Sequence, residues 1–192
     1  MKILIIEPNS SGHNMAMHLK VIVRKLVKSK CQISLLTTNS AINSSSYKLV
    51  RAEMDKKIQE YFIPDLINNK NNSFISILYK QLKLWFILRK KFSEINTIIK
   101  PNIILIPTLD WIAKSVEILG SPFGTTPFVT LYMAPKHHRK MMGLGSSSRQ
   151  DWIYNLLFKK LLKIPTLKNL LVFEEAFIEF AKKRYKKLSS KI

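Results

Sequence analysis

The sequence predicts an α/β fold in which a mostly parallel sheet carries helices on both faces. Short apolar segments typical of buried strands, such as residues 2–6 and 102–106, alternate with amphipathic segments of ten or more residues. Polar turns rich in Ser, Asn, Gly or Pro separate these segments. Strands that alternate with helices imply right-handed crossovers and a sheet covered on both sides. We therefore expect a Rossmann-like domain, and no internal repeat is visible in the sequence.

Apolar patterning assigns the individual elements in order. The predicted strands are residues 2–6, 32–38, 61–63, 102–106, 128–133 and 170–173. The predicted helices are residues 15–26, 47–59, 74–99, 111–120, 152–163 and 174–188. Gly120 is expected to end the fourth helix, and Ser148 with Asp151 forms a capping box before the fifth.

Length and composition are those of a globular protein. The 192 residues suffice for a domain with a full core, and 46% of them are hydrophobic and 23% charged. No apolar run approaches the roughly 20 residues that a membrane span needs, and the apolar start is too short for a secretory signal. A single Cys31, in a predicted strand, excludes a disulfide framework. We therefore expect a cytoplasmic protein. If it binds a membrane, we expect it to be a peripheral protein on the inner face.

The net charge of +20 suggests an anionic partner. Nucleic acid, an acidic membrane surface and a phosphorylated ligand all meet that description. The basic residues are 26 Lys and 6 Arg, a bias that an AT-rich coding sequence also produces. Because recognition of bases and phosphates relies on Arg, nucleic acid is the least favoured of these partners.

Candidate functional residues lie in the loops that follow the predicted strands. In open α/β sheets, ligands bind beyond the carboxyl ends of the strands. Four such loops share that edge: residues 7–13, 37–43, 107–110 and 134–145. The first loop has one glycine and no Walker lysine, so it matches neither the dinucleotide nor the P-loop motif.

Gly12 and His13 follow the first strand and precede the first helix. Gly12 either lets a ligand approach the helix amides or serves as a turn residue. His13 can act there as a base or a hydrogen-bond donor, or it is a polar surface residue.

Two further loops carry candidate substrate-binding residues. Thr108 and Asp110 follow the fourth strand, where they bind a substrate hydroxyl or cap the next helix. His137, His138 and Arg139 form a basic patch that suits an anionic substrate, or an exposed loop. No spacing typical of a metal site or a serine hydrolase occurs.

Several stretches together resemble the amino-terminal domain of GT-B glycosyltransferases of the group related to families 1 and 4. They are the opening strand, EPNSSGHN, the first helix, PNIILIPTLDW and LLVFEEAFIEFAKKRYKKL. The resemblance spans nearly the whole chain, although only Gly12, His13 and Asp110 carry it residue by residue. It implies a single GT-B half: an acceptor-side domain over residues 1–173 and a basic helix over 174–192 at the interdomain linker.

The resemblance also implies a chemistry. GT-B enzymes bind the nucleotide-sugar substrate mainly through a carboxy-terminal domain, and they need neither metal nor other cofactor. His13 would be the catalytic residue, with Gly12 beside the donor phosphates or acceptor. Glu174 and Glu175 are not expected to replace the donor-binding carboxylates of that second domain.

A complete enzyme of this kind is about twice as long, which implies a truncated enzyme or a separately encoded donor-binding partner. Alone, the chain is expected to be inactive. Two helices, Lys80–Lys91 and Trp152–Lys163, mix apolar and cationic residues as membrane-surface helices do, although core packing with a solvated Lys face explains them too. The alternatives are a non-catalytic binding or membrane-recruiting subunit and, less favoured, a basic nucleic-acid-binding protein.

Overall fold

The computed structural model describes residues 1–8, 18–54, 58–65, 73–133 and 151–192. The strands are β1 (Lys2–Ile6), β2 (Gln32–Thr38), β3 (Gln59–Ile63), β4 (Ile103–Ile106), β5 (Phe128–Leu131) and β6 (Leu167–Leu171). The helices are α1 (Lys20–Lys28), α2 (Ser45–Arg51), α3 (Phe74–Ile99), α4 (Ala113–Leu119), α5 (Asp151–Lys163) and α6 (Glu175–Arg184). Short 3₁₀ turns cover Asn39–Asn43, Leu109–Trp111 and Lys186–Lys191.

All six strands form one parallel sheet in the order β3-β2-β1-β4-β5-β6. The Rossmann-like fold class that the sequence predicts is confirmed. The first three strands are added in one direction, from β1 at the centre to β3 at the edge. The chain then returns to the centre, and β4 pairs with the other side of β1. In sheets of this type ligands bind at such a reversal point, which here lies between the carboxyl ends of β1 and β4.

The sheet separates two apolar cores, because successive side chains of a strand point to opposite faces. Ile3 and Ile5 belong to the core that α1 and α2 cover. Leu4 and Ile6 belong to the larger core beneath α3, α4, α5 and α6. Continuous apolar strands are therefore explained by burial on both faces.

The longest helix, α3, is fixed at both ends and along its buried face. Ser73 precedes it, and its hydroxyl oxygen accepts a bond from the Ser76 N–H at 3.2 Å. The helix ends at Lys100, whose φ of 48° is left-handed, and Pro101 follows. Between them, Trp85 lies in the core and its indole N–H donates to the Gly120 carbonyl at 2.8 Å.

An aromatic cluster holds α6 against α5. The Phe158 ring is completely buried, with the ring centroids of Phe177 and Tyr185 at 5.3 and 5.4 Å. The Tyr185 hydroxyl also donates to the Asn155 side-chain oxygen at 2.7 Å. The last helix is thus packed into the same core as the sheet.

Several element boundaries differ from the predicted ones. The second helix ends at Arg51, and Gln59, predicted to end it, begins β3. The last strand is residues 167–171 rather than 170–173, because β6 is an edge strand whose exposed Lys168 and Asn169 hide its pattern. The last helix ends at Arg184, since the buried Tyr185 redirects the chain. Within the described ranges, no helix is long and apolar enough to cross a membrane.

Candidate functional site

Two buried polar side chains lie side by side at the carboxyl ends of β1 and β2. Glu7 extends the ladder beyond β1, and its backbone N–H donates to the Leu36 carbonyl at 3.0 Å. Since Ile6 pairs with Leu36, the next step of the register places Glu7 beside Thr37 on the same face of the sheet. Both side chains are completely buried. On the face of the sheet that α1 covers, the apolar core therefore ends in a buried carboxyl and a buried hydroxyl at the carboxyl ends of these strands.

Thr108 adds a third buried polar group, just after β4. It is 3% exposed and its backbone is extended. The Oγ1 atoms of Thr108 and Thr37 are buried and have no hydrogen-bond partner among the residues described. Thr130 on β5 differs, because its Oγ1 donates to the Ile106 carbonyl at 2.9 Å. We call Glu7, Thr37 and Thr108 the crevice floor.

Asp110 ties the loop after β4 to the end of β5. Its carboxylate oxygen Oδ2 accepts a bond from the Met133 backbone N–H at 2.9 Å. The expected cap of α4 by Thr108 or Asp110 is not found: Thr108 makes no side-chain cap bond, and Ile112 occupies the cap position of α4. The Asp110 carboxylate binds the end of β5, and Asp110 itself lies in the 3₁₀ turn that precedes α4.

Gln81 on α3 holds the same loop from the other side. Its Nε2 donates to the Asp110 carbonyl at 2.9 Å, and its Oε1 accepts from the Lys114 N–H at 2.7 Å. Sequence reasoning missed this residue, although one signal was present: an amide four residues before Trp85 on the buried face of α3. Side-chain hydrogen bonds therefore hold the loop beside the crevice on two sides.

A buried carboxyl lies on α4 behind this loop. Burial raises the pKa of Glu117 to about 8, while nearby Lys114 lowers it and Asp110 raises it. Burial also raises the pKa of Tyr132 well above its usual value, with further contributions from Glu117 and Asp110. The Lys114 ammonium lies 4.6 Å from the ring centroid of Tyr154. Glu117 is thus mostly protonated at pH 7 and can donate a hydrogen bond.

The predicted site residues divide into two groups. Thr108 and Asp110 lie together in the loop after β4. Gly12, His13, His137, His138 and Arg139 lie outside the described residues, as does Ser148 of the expected capping box. The connections that carry them leave the sheet after β1 and β5, at the carboxyl edge. In the parts of the chain that are described, no three His, Cys, Asp or Glu side chains are grouped to hold a metal ion.

The fold matches solved glycosyltransferase structures. Apo UGT2 of Phytolacca americana matches with a TM-score of 0.59 and 12% identity, over 98% of this chain and 50% of that one. UGT2 complexed with UDP-2fluoro-glucose and pterostilbene matches with a TM-score of 0.58 and 12% identity, over 89% and 47%. The glycotransferase of kitacinnamycin matches with a TM-score of 0.52 and 12% identity, over 89% and 45%.

No protein-family model and no curated protein sequence matches the chain. At 12% identity, the likeness to the solved structures is one of fold. The chain spans about half the length of each of these structures, since it covers 45 to 50% of theirs. It therefore has the fold of one half of these glycosyltransferases.

Proposed function

We propose that the chain is the acceptor-binding half of a sugar transferase that uses a nucleotide-sugar donor. The observation that supports this most is the crevice floor, a set of buried polar groups at the reversal point of a sheet that half of UGT2 shares. One UGT2 structure contains UDP-2fluoro-glucose together with pterostilbene. An acceptor hydroxyl can enter a crevice of this kind and bond to Thr108, whose Oγ1 is otherwise unbonded among the described residues.

The proposed reaction moves a sugar from a nucleotide phosphate to that hydroxyl. The bond from the anomeric carbon to the acceptor oxygen forms, and the bond from this carbon to the phosphate oxygen breaks. His13 takes the proton of the acceptor hydroxyl, and Gly12 leaves room for the reacting groups. His137, His138 and Arg139 neutralise charge on the anionic substrate.

A second domain supplies the donor site in this proposal, either on a longer polypeptide or on a partner chain. The helix beginning at Glu175 then lies at the junction of the two domains. The proposal includes no metal ion, because cationic side chains such as Arg139 can balance the charge of the leaving phosphate.

Threonine-to-valine substitutions test whether the crevice floor is reserved for a ligand. Thr108→Val and Thr37→Val should each leave the free energy of unfolding unchanged or raise it by up to about 1 kcal/mol, because each removes an unbonded buried hydroxyl. Thr130→Val is the matched control and should lower it by about 1 kcal/mol, since it removes the hydroxyl that donates to the Ile106 carbonyl. Urea denaturation measures all three.

The same variants separate binding from stability. In saturation-transfer NMR against a panel of simple glycosides, Thr108→Val should weaken binding while Thr130→Val should not. Equal destabilisation by Thr108→Val and Thr130→Val, with glycoside binding unchanged, would mean that the Thr108 hydroxyl serves the fold and not a ligand.

A further inference from the structure

A cationic groove lies between α5 and the end of α6 and shares no residue with the crevice floor. Its volume is about 550 Å³. The residues that line it are Trp152, Asn155, Leu156, Lys159, Lys183, Arg184, Tyr185 and Lys186. Four of these eight are cationic and none is acidic. Such a lining attracts a phosphate or another anionic group.

An exposed apolar row borders the groove along α5. Trp152 is 72% exposed, and Leu156, one helical turn later, is 44% exposed. Ile153 beside them is 40% exposed. Lys159 continues the same face of the helix, so apolar and cationic side chains share one surface. Helices that lie at a membrane surface have this arrangement.

The C-terminal segment is held against α5 in a way that keeps its cations beside this row. The bond from the Tyr185 hydroxyl to Asn155 fixes one end of the groove. The Lys191 ammonium donates to the Ile164 carbonyl at 2.6 Å and fixes the segment near the end of α5. Within α6, the acid of the first turn is Glu175, whereas the last turn contains Lys182, Lys183 and Arg184. The carboxyl-terminal turn of α6, which is rich in cationic side chains, thus lies at the groove.

We propose that the groove and its apolar row form a docking surface for a bilayer that contains anionic phospholipids. The indole of Trp152 and the aliphatic side chains of Ile153 and Leu156 enter the interfacial region, and the four cations contact lipid phosphates. Of the three apolar side chains, Ile153 and Leu156 do not stack on bases as an aromatic ring would, and Arg184 is the one arginine among the eight lining residues. The chemistry of the surface therefore favours lipid over single-stranded nucleic acid.

The other basic helix is less suited to this role. On α3, Trp85 is buried and bonded to Gly120, which leaves Phe86 as the exposed aromatic residue of that pair. The groove beside Phe86 includes Glu94, whose carboxylate forms an ion pair with Lys91 at 2.9 Å. An acid in the lining repels lipid phosphates, so we assign the docking surface to α5 and α6 alone.

Vesicle flotation with Trp fluorescence tests the proposal. In a Trp111→Phe chain, Trp152 becomes the exposed indole, while Trp85 stays buried. We expect flotation and a blue-shifted emission with vesicles of phosphatidylglycerol and phosphatidylcholine, and neither with phosphatidylcholine alone. Lys183→Gln/Arg184→Gln should weaken partitioning roughly 25-fold, at about fivefold per cation. Trp152→Ala should weaken it about tenfold.

The matched control removes two exposed cations from the opposite face of the sheet. Lys25→Gln/Lys28→Gln on α1 makes the same change in net charge and should leave partitioning within about twofold of the unmodified chain. Equal weakening by both double variants, or no flotation at low salt, would overturn the proposal. So would tight binding of a single-stranded oligonucleotide that Lys183→Gln/Arg184→Gln abolishes while vesicles stay unbound. None of these outcomes depends on sugar transfer.

Discussion

Replacing Phe158 with alanine should lower the free energy of unfolding by about 3–5 kcal/mol. The ring is fully buried where the sheet, α5 and α6 meet, and it contacts the rings of Tyr132, Phe177 and Tyr185. A domain of this size has roughly 5–15 kcal/mol of stability in total, so the loss is a large part of it. Urea denaturation followed by circular dichroism gives the value.

Phe86→Ala is the matched control for Phe158→Ala. Phe86 is 60% exposed on α3 and touches the Trp85 ring edge-on at 5.2 Å. Its truncation should cost less than about 1 kcal/mol. Similar losses for the two variants would show that Phe158 is not at the centre of the core and that α6 is not packed as described.

Replacing Glu117 with glutamine should remove a decline in stability with rising pH. The pKa of Glu117 is raised from 4.5 to about 8, mainly by burial. Between these values the unfolded chain loses this proton and the folded chain keeps it, so stability falls as pH rises through this window. The favourable contribution is complete below about pH 4.5 and lost above about pH 8. The total change is on the order of 5 kcal/mol.

Thermal unfolding of the Glu117→Gln chain at pH 5 and pH 8 measures this effect. The variant should gain most over the unmodified chain at the higher pH, because glutamine stays neutral. Glu179→Gln, at an exposed position on α6, should leave the pH dependence as it is. If stability declines between pH 5 and pH 8 by the same amount in the unmodified chain and in the Glu117→Gln chain, another titrating group causes the effect.

The strands and helices could be predicted because their signals are local. Continuous apolar runs identified β1, β2 and β4. Each of these strands has a neighbouring strand on both sides, and helices cover both faces of the sheet there. The signal failed at β6, where one side of the strand is open and polar residues are tolerated. The end of α6 could not be predicted, because it depends on the tertiary bond from Tyr185 to Asn155.

The carboxyl edge of the sheet could be predicted from the alternation of strands and helices, but the buried polar groups found there could not. The edge of the sheet and the loop with Thr108 and Asp110 followed from strand order. The burial of Glu7 and Thr37 did not, since a polar residue after a strand is more often exposed at a turn. The roles of Gln81 and Glu117 depend on contacts between α3, α4 and the loop, which no local pattern encodes.

An amide-shift titration of the ¹⁵N-labelled chain tests the proposed acceptor-binding role most directly. Simple glycosides and UDP-glucose are added in separate series, and shifts are mapped onto the fold. We expect glycosides to move the amides of Glu7, Thr37, Thr108 and Asp110, and UDP-glucose to leave the spectrum unchanged. Saturable binding of UDP-glucose by the chain alone, or glycoside shifts that avoid the carboxyl edge of the sheet, would contradict an acceptor-binding half.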